Sequence, residues 1–281
     1  MGGKNPPYII SDHSQTLSRN LKNRVIWVHS LLAGVDSLIH TIADLSESIP
    51  LTNARGAFSG PLAEYVMSLI LYFNKGYPRL IYNRQNRKWD KFIMNTVSGQ
   101  RVGFLGFGSI GRTTARVCKA LGMRVLAVSR TGEDESGLAD DIFPHSSSHG
   151  IDYVLSESDY LVCCLPLTLE TRHFMNSEKF KKMKKSSIFI SIGRGQCVDE
   201  SALIDAIDCG MIAGAGLDVF EVEPLPKESR LWEFDNVIIT SHNADYTESY
   251  FNDSLEIFLE NHKHFLSGGI LSNPVNRQLG Y

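Results

Sequence analysis

From Arg101 onward the chain alternates short, continuous apolar runs with stretches in which apolar residues recur every three or four positions. The runs read as strands: R-V-G-F-L from Arg101, R-V-L-A-V-S from Arg124, Y-L-V-C-C-L-P from Tyr160, S-I-F-I-S-I from Ser187, G-A-G-L-D-V-F from Gly214 and N-V-I-I-T from Asn236. Between them, helices are predicted over Gly111–Leu121, closed by Gly122, over Ser177–Lys184, and over residues 200–209 with Asp199 as the cap and Gly210 as the terminator. Strands that are apolar on both faces, alternating with helices, imply a parallel sheet covered on both sides. Upstream, Pro6–Ile10 and Arg24–His29 are short β-branched runs, the second followed by the loop S-L-L-A-G-V-D. From Pro61 the text L-A-E-Y-V-M-S-L-I-L-Y-F is apolar almost all round, the mark of a helix buried in a core or at a subunit contact, and Pro78 interrupts it. Lys88–Gln100 reads as a polar connection containing Trp89, and Thr247–Leu266 as one amphipathic helix. No internal repeat or low-complexity segment is present.

The 281 residues are 43% hydrophobic and 21% charged with a net charge of −3, enough apolar material for two modest domains and no one-sided charge. Nucleic acid is therefore not expected as a main partner. The basic run Lys179–Lys185 reads as a solvated helix face rather than a polyanion site. No apolar run spans a membrane, the first residues lack the apolar core of a signal peptide, and Pro6 breaks the myristoylation pattern. Cys118, Cys163, Cys164, Cys197 and Cys209 are odd in number and scattered, and no CxxC spacing suggests a metal site. They read as buried free thiols in a reducing compartment, which places the protein in the cytoplasm.

Gly106, Gly108 and Gly111 form G-x-G-x-x-G between a predicted strand and a predicted helix. The first glycine permits the tight turn, the second lets backbone approach a pyrophosphate, and the third lets helix pack on strand. The helix N-terminus then offers unpaired N–H groups to the phosphates. An acidic residue about 20 positions on would bind a ribose 2′-hydroxyl. Here the second strand ends at Ser129, Arg130 and Thr131 instead. An arginine with two flanking hydroxyls can hold a 2′-phosphate that a carboxylate would repel, so NADP(H) is favoured over NAD(H).

Three further stretches carry isolated reactive residues just after predicted strands: S-I-G-R-G-Q-C-V-D-E from Ser191, L-D-V-F-E-V-E-P-L-P from Leu217 and V-I-I-T-S-H-N-A-D from Val237. Ligands of open α/β sheets bind beyond the carboxyl ends of the strands, so Arg194, Glu223 and His242 are expected to converge beside a nicotinamide. Singly, an arginine or histidine in such a place is more often a surface ion pair or a packed group. Together, a cation, a carboxylate and a histidine suit reduction of a 2-oxo acid, because negative charge developing on oxygen is met by a fixed cation and a proton donor.

In this order and spacing the motifs resemble the D-isomer-specific 2-hydroxyacid dehydrogenase family, and most of all its glyoxylate/hydroxypyruvate reductase-like branch. The likeness runs from about Trp27 to the C-terminus, supported by L-P-L-T-L-E-T at 165–171 and the closing N-P-V-N-R-Q-L-G-Y. It implies a Rossmann-type doubly wound parallel sheet in residues 58–242, and a smaller flavodoxin-like α/β substrate domain from residues 1–57 and 243–281. By resemblance Arg194 holds the substrate carboxylate and polarises the 2-oxo group, His242 is the proton donor, and Glu223 holds the imidazole. Glu221 is the nearer competitor for that last role, but the family places the acid directly before the proline. The amides of Ala33 and Gly34 resemble a second carboxylate cradle. Asp218 resembles the residue that contacts the nicotinamide carboxamide, and Leu165 and Pro166 the adenine-side wall. Ser109, Ile110, Thr171 and Gly193 complete the cofactor-binding set that the likeness implies.

The sequence also departs from the family. A β-α-β stretch on the order of 35 residues, about one supersecondary unit, is missing before Pro7–Ile10, which leaves the substrate domain an expected smaller sheet with an exposed edge. His242 is followed by N-A-D-Y where many members have a glycine-rich turn, so Asn243 and Tyr246 can shape the pocket; Trp232 can do the same or pack in the core. Family members are commonly dimers joined through the cofactor domain, with the apolar helix after Pro61 as the candidate contact. The reading is NADPH-dependent reduction of a small 2-oxo acid, glyoxylate or hydroxypyruvate, to the D-2-hydroxy acid. The alternatives are a catalytically silent, corepressor-like nucleotide sensor and an NAD-linked phosphoglycerate dehydrogenase.

Overall fold

The computed structural model describes residues 8–11 and 25–281. The N-terminal stretch before Tyr8, with the strand start read at Pro6, and Arg24 of the second strand lie outside the described residues. The chain divides into two compact units, Met1–Phe58 with Tyr246–Tyr281, and Ser59–Asp245.

The larger unit is built on seven strands: β4 (Arg101–Leu105), β5 (Arg124–Ser129), β6 (Asp141–Pro144), β7 (Tyr160–Cys163), β8 (Ile188–Ser191), β9 (Gly214–Leu217) and β10 (Val237–Ile239). Their order is β10-β9-β8-β7-β4-β5-β6, and every neighbouring pair is parallel. The order reverses between β4 and β7, so two connections diverge there and leave a crevice at the carboxyl ends of the strands, the usual seat of a dinucleotide. β7, β8 and β9 are buried along their whole length, as strands covered on both faces must be. β6, a short run ending in proline, escapes a search for apolar alternation. It is an edge strand, where Pro144 owes no hydrogen bond to an outer neighbour.

Six helices belong to this unit: α2 (Ser59–Asn74), α3 (Tyr77–Gln85), α4 (Ser109–Ala120), α5 (Ser148–Glu157), α6 (Ser177–Phe180) and α7 (Glu200–Asp208). The caps read from sequence hold: the Asp199 carboxylate accepts from the Ala202 amide at 3.0 Å, and Gly122 and Gly210 take positive φ beyond their helices. Pro78, however, interrupts nothing. α2 ends at Asn74, the chain turns through Gly76 at φ 68°, and Pro78 sits in the first turn of α3, where a missing N–H is harmless.

The apolar side chains of α2 are spent inside its own unit. Leu62, Val66, Leu69 and Ile70 are buried, and a Cβ on Gly216 of β9 would come within 2.5 Å of Leu69. Exposed apolar side chains gather instead on α3 and the loop after it. The basic run is only briefly helical. Lys182 pairs with Asp152 at 2.6 Å and Lys184 with Asp159 at 2.8 Å, so acids of its own unit pair with two of its five lysines. Of the thiols, Cys118, Cys163 and Cys197 are buried and Cys164 partly so; Cys209, just past α7, is exposed, contrary to the sequence reading.

The smaller unit holds β1 (Tyr8–Ser11), β2 (Trp27–Ser30) and β3 (Leu51–Asn53) in one parallel sheet, with α1 (Asp36–Thr41) and the C-terminal α8 (Tyr250–Ser267). The C-terminal segment covers β3: the Val275 amide donates to Leu51 O at 2.8 Å and the Asn53 amide to Asn273 O at 3.3 Å. Trp27 is fully buried and stacks on Phe258 and Phe265 of α8 at 5.5 and 5.2 Å. Its indole N–H donates to Thr52 Oγ1 at 2.9 Å, which also meets His29 Nδ1 at 2.7 Å. Trp232, in the larger unit, is half exposed, and its indole donates to Pro226 O at 3.0 Å. Tyr246 is exposed beside Tyr250.

Candidate active site and nucleotide crevice

The turn from β4 into α4 is G-F-G-S-I-G. Gly106 sits at φ 95°, which only glycine adopts without cost, and a Cβ there would also press on the Cys164 carbonyl at 3.0 Å. A Cβ on Gly111 would meet Gly106 O at 2.7 Å, so helix and strand approach as closely as a glycine allows. A Cβ on Gly108 would meet nothing within 4 Å. Open space at the N-terminus of a twelve-residue helix, with no side chain capping it, fits a pyrophosphate held by backbone N–H groups. Ser109 and Ile110 form the first turn, and Ser109 Oγ meets Ser59 Oγ at 2.8 Å.

β5 delivers Ser129, Arg130 and Thr131 to the same end of the sheet. Ser129 Oγ accepts from the Gly132 amide at 2.9 Å and Thr131 Oγ1 from the Glu133 amide at 3.3 Å. Both hydroxyls act there as acceptors, which leaves each O–H to donate to an anion. Arg130 is exposed. Leu165 and Pro166 follow β7, and Thr171 clasps their loop by donating to Pro166 O at 2.6 Å and accepting from the Thr168 amide at 2.7 Å.

The loops after β7, β8 and β9 then touch in sequence. A Cβ on Gly193 would lie 2.6 Å from Leu165 O, and one on Gly195 would lie 1.9 Å from Phe220 O. Arg194 stands between these two glycines, its Nη1 donating to Gly193 O at 2.9 Å. Beyond Phe220, Glu223 Oε1 accepts from the Phe220 amide at 3.0 Å and Oε2 from His242 Nδ1 at 2.8 Å. With Nδ1 committed to the carboxylate, Nε2 of His242 is the nitrogen left to serve a ligand. The competitor Glu221 is engaged elsewhere, in an ion pair with His173.

His242 adopts φ 51°, unusual for a residue with a Cβ. Asp218, buried just past β9, supplies what holds it there. Its carboxylate accepts from the Asn243 and Ala244 amides at 3.1 and 3.2 Å, and its carbonyl from the His242 amide at 2.8 Å. Thr240 Oγ1 donates to Asp218 Oδ1 at 2.5 Å and so receives the phenol proton of Tyr65, 2.7 Å away on α2. Burial, and less strongly the Asp218 charge, push the Tyr65 phenol up to about 12, so it stays a donor at ordinary pH. Asp245 is half-buried, and its carboxyl is raised, chiefly by burial; opposing charge from His242 and Arg194 reaches it.

Arg194, Glu223 and His242, expected to converge, thus lie on adjoining loops of one sheet end. Thr240 lies inside the V-I-I-T-S-H-N-A-D stretch, two residues before the histidine, whereas nothing in the sequence around Tyr65 marks it. Ala33 and Gly34 follow β2 in the smaller unit, where Ala33 O accepts from Asn53 Nδ2 at 2.6 Å. Among the described residues no group of three or more His, Cys, Asp or Glu side chains could hold a metal ion.

The sequence model of the D-isomer specific 2-hydroxyacid dehydrogenase, NAD binding domain, matches residues 67–244. A glyoxylate reductase of Thermococcus onnurineus is 40% identical over 190 residues, which are 67% of this chain and 55% of that protein. A probable 2-hydroxyacid dehydrogenase from Rhizobium etli, solved with NADP, HEPES and L(+)-tartaric acid, superposes with a TM-score of 0.85 at 31% identity over 98% of this chain and 86% of that one. An NADPH-dependent glyoxylate/hydroxypyruvate reductase from Sinorhizobium meliloti, solved with NADP and sulfate, gives 0.86 at 29% identity over 98% and 86%.

Proposed function

The chain belongs to the D-isomer specific 2-hydroxyacid dehydrogenase family of NAD(P)-dependent oxidoreductases, and from that premise we propose that it reduces a small 2-oxo acid, glyoxylate or hydroxypyruvate, to the D-2-hydroxy acid with NADPH. The observation that carries the chemistry is the 2.8 Å bond from His242 Nδ1 to Glu223 Oε2. The reduced nicotinamide, when bound, supplies the hydride. Arg194 holds the substrate carboxylate by paired charge-assisted bonds and draws charge toward the 2-oxo oxygen. His242, carrying protons on both ring nitrogens, gives the one at Nε2 to that oxygen as it becomes an alkoxide, and Glu223, accepting from Nδ1, fixes the orientation of the ring. Asp218, tied through Thr240 to Tyr65, keeps the His242 turn in its left-handed conformation. The amides of Ala33 and Gly34 are proposed as the second hold on the carboxylate.

The case for NADPH rests on Ser129–Arg130–Thr131 at the end of β5, which put a cation and two hydroxyls where a ribose-binding carboxylate would stand, and on the NADP complexes of the two structural relatives. Arg130→Ala is expected to raise KM for NADPH by about tenfold or more, the worth of a charge-assisted contact, with little change for NADH. Equal effects on both cofactors overturn the preference. The free thiols support a cytoplasmic setting.

We also propose a homodimer joined through the larger unit, by a surface other than α2. Trp89 is 100% and Ile93 94% exposed, with Tyr77, Tyr82 and Met94 also on the surface. Their loop is anchored on its polar side: Arg79 pairs with Asp90 at 2.6 Å and lies over the Phe92 ring at 4.2 Å, and Lys75 Nζ donates to Asn95 O at 2.6 Å. A held loop that presents a bare indole is better covered by a second copy than by water.

A further inference from the structure

β6 runs beside β5 with Pro144 paired to Ser129, so the next residue, His145, emerges alongside Arg130. The two strands are locked together at this point. The His145 amide donates to Ser129 O at 2.8 Å, and Gly132, at φ 77°, folds the turn so closely onto Pro144 that a Cβ would meet its Cδ at 2.6 Å. The backbone of His145 is therefore fixed next to the Ser129–Arg130–Thr131 turn. Its Nδ1 lies 3.4 Å from the Arg130 carbonyl, and its Nε2 lies 3.7 Å from a carboxylate oxygen of Glu170, on the Leu165–Thr171 loop. The ring is half exposed and sits at the carboxyl end of the sheet, between the turn after β5 and the loop that forms the other wall of the nucleotide crevice.

We propose that His145 is a second determinant of cofactor choice: with protons on both ring nitrogens, it donates from Nε2 to the 2′-phosphate that Arg130 and the two hydroxyls receive. This deepens, and rests on, the NADPH reading above. Three features point to this role. The ring stands on the strand next to Arg130, so the two side chains approach a phosphate from adjoining strands. Nδ1 faces a carbonyl, which fixes the ring plane and turns Nε2 outward. Nε2 is only loosely engaged by the exposed Glu170, at a distance longer than a hydrogen bond, so a phosphate oxygen can take over the donor at little cost. Neither Arg130 nor His145 could serve a plain ribose hydroxyl as well as a carboxylate does. With both present, the end of the sheet is built for an anion.

The test uses direct binding and needs no turnover. Calorimetric Kd values for 2′,5′-ADP and 5′-AMP on the full chain isolate what the 2′-phosphate adds. The wild type is expected to bind 2′,5′-ADP more tightly. His145→Ala should cut that preference about tenfold while leaving 5′-AMP unchanged, and His145→Lys, which keeps a donor, should recover part of it. A preference lost in Arg130→Ala but intact in His145→Ala overturns this inference and leaves the NADPH reading standing. Equal weakening of both nucleotides by His145→Ala makes the ring a wall of the crevice and also overturns it. A wild type that does not distinguish the two nucleotides overturns both.

Discussion

At the residue scale, two histidines are set apart by what surrounds them. His242 is partly exposed and paired with a carboxylate. His29 is 1% exposed, hydrogen-bonded at Nδ1 to Thr52 and enclosed by Trp27 and Phe258, and its Nε2 meets no partner. Burial lowers its pKa from 6.5 to about 4, because a charged ring there would lose its water without gaining a counter-ion. The native state thus favours the neutral ring, and the unfolded chain binds more protons between those two values. Stability from this residue is complete above pH 6.5 and is lost as pH falls toward 4, by up to about 3 kcal/mol. Melting temperatures of the wild type should drop between pH 7 and 5 more steeply than those of His29→Asn; parallel slopes would remove His29 from the account. This burial was not legible beforehand, because R-V-I-W-V-H names a strand but not which neighbours seal it. Arg194, Glu223 and His242 were legible because each follows a strand inside a spaced motif. Thr240 and Tyr65 were not, since a hydroxyl relay joins positions 175 residues apart.

At the scale of elements, the turn Gly195–Cys197 and the helix α7 behind it give a contrast. Gly195→Ala would drive a Cβ to 1.9 Å from the Phe220 carbonyl, so the turn must shift and carry Arg194 with it. Four residues away, Asp199→Ala removes only a helix cap, worth about 1 kcal/mol. The first variant should lose most of its kcat/KM; the second should melt earlier yet keep kcat. Comparable activities in the two folded variants would contradict the close packing of these loops. The long apolar strands and capped helices were readable because burial on both faces leaves a run that nothing else explains. β3 and β6 span too few residues to display a period. α5 was missed too, and its helix carries Gly150, which local propensity counts against. The all-apolar text of α2 left open whether a core or a partner covers it, and packing against β9 settles that for Leu69.

At the scale of the whole molecule, the dimer and the reaction can be tested separately. Trp89→Ser with Ile93→Ser should shift the sedimentation of a dimer to that of a monomer, and a wild type that sediments as a monomer would contradict the proposed contact. Among the described residues no helix is long and apolar enough to cross a membrane. The central claim is 2-oxo acid reduction with His242 as the proton donor. It is tested most directly by following NADPH and NADH oxidation with a panel of 2-oxo acids, in the wild type and in His242→Ala. The account predicts turnover of glyoxylate or hydroxypyruvate, faster with NADPH, and a fall in kcat of about 10²–10⁴ in the variant with cofactor binding kept. Nucleotide binding without turnover of any acid would contradict it and leave a sensor.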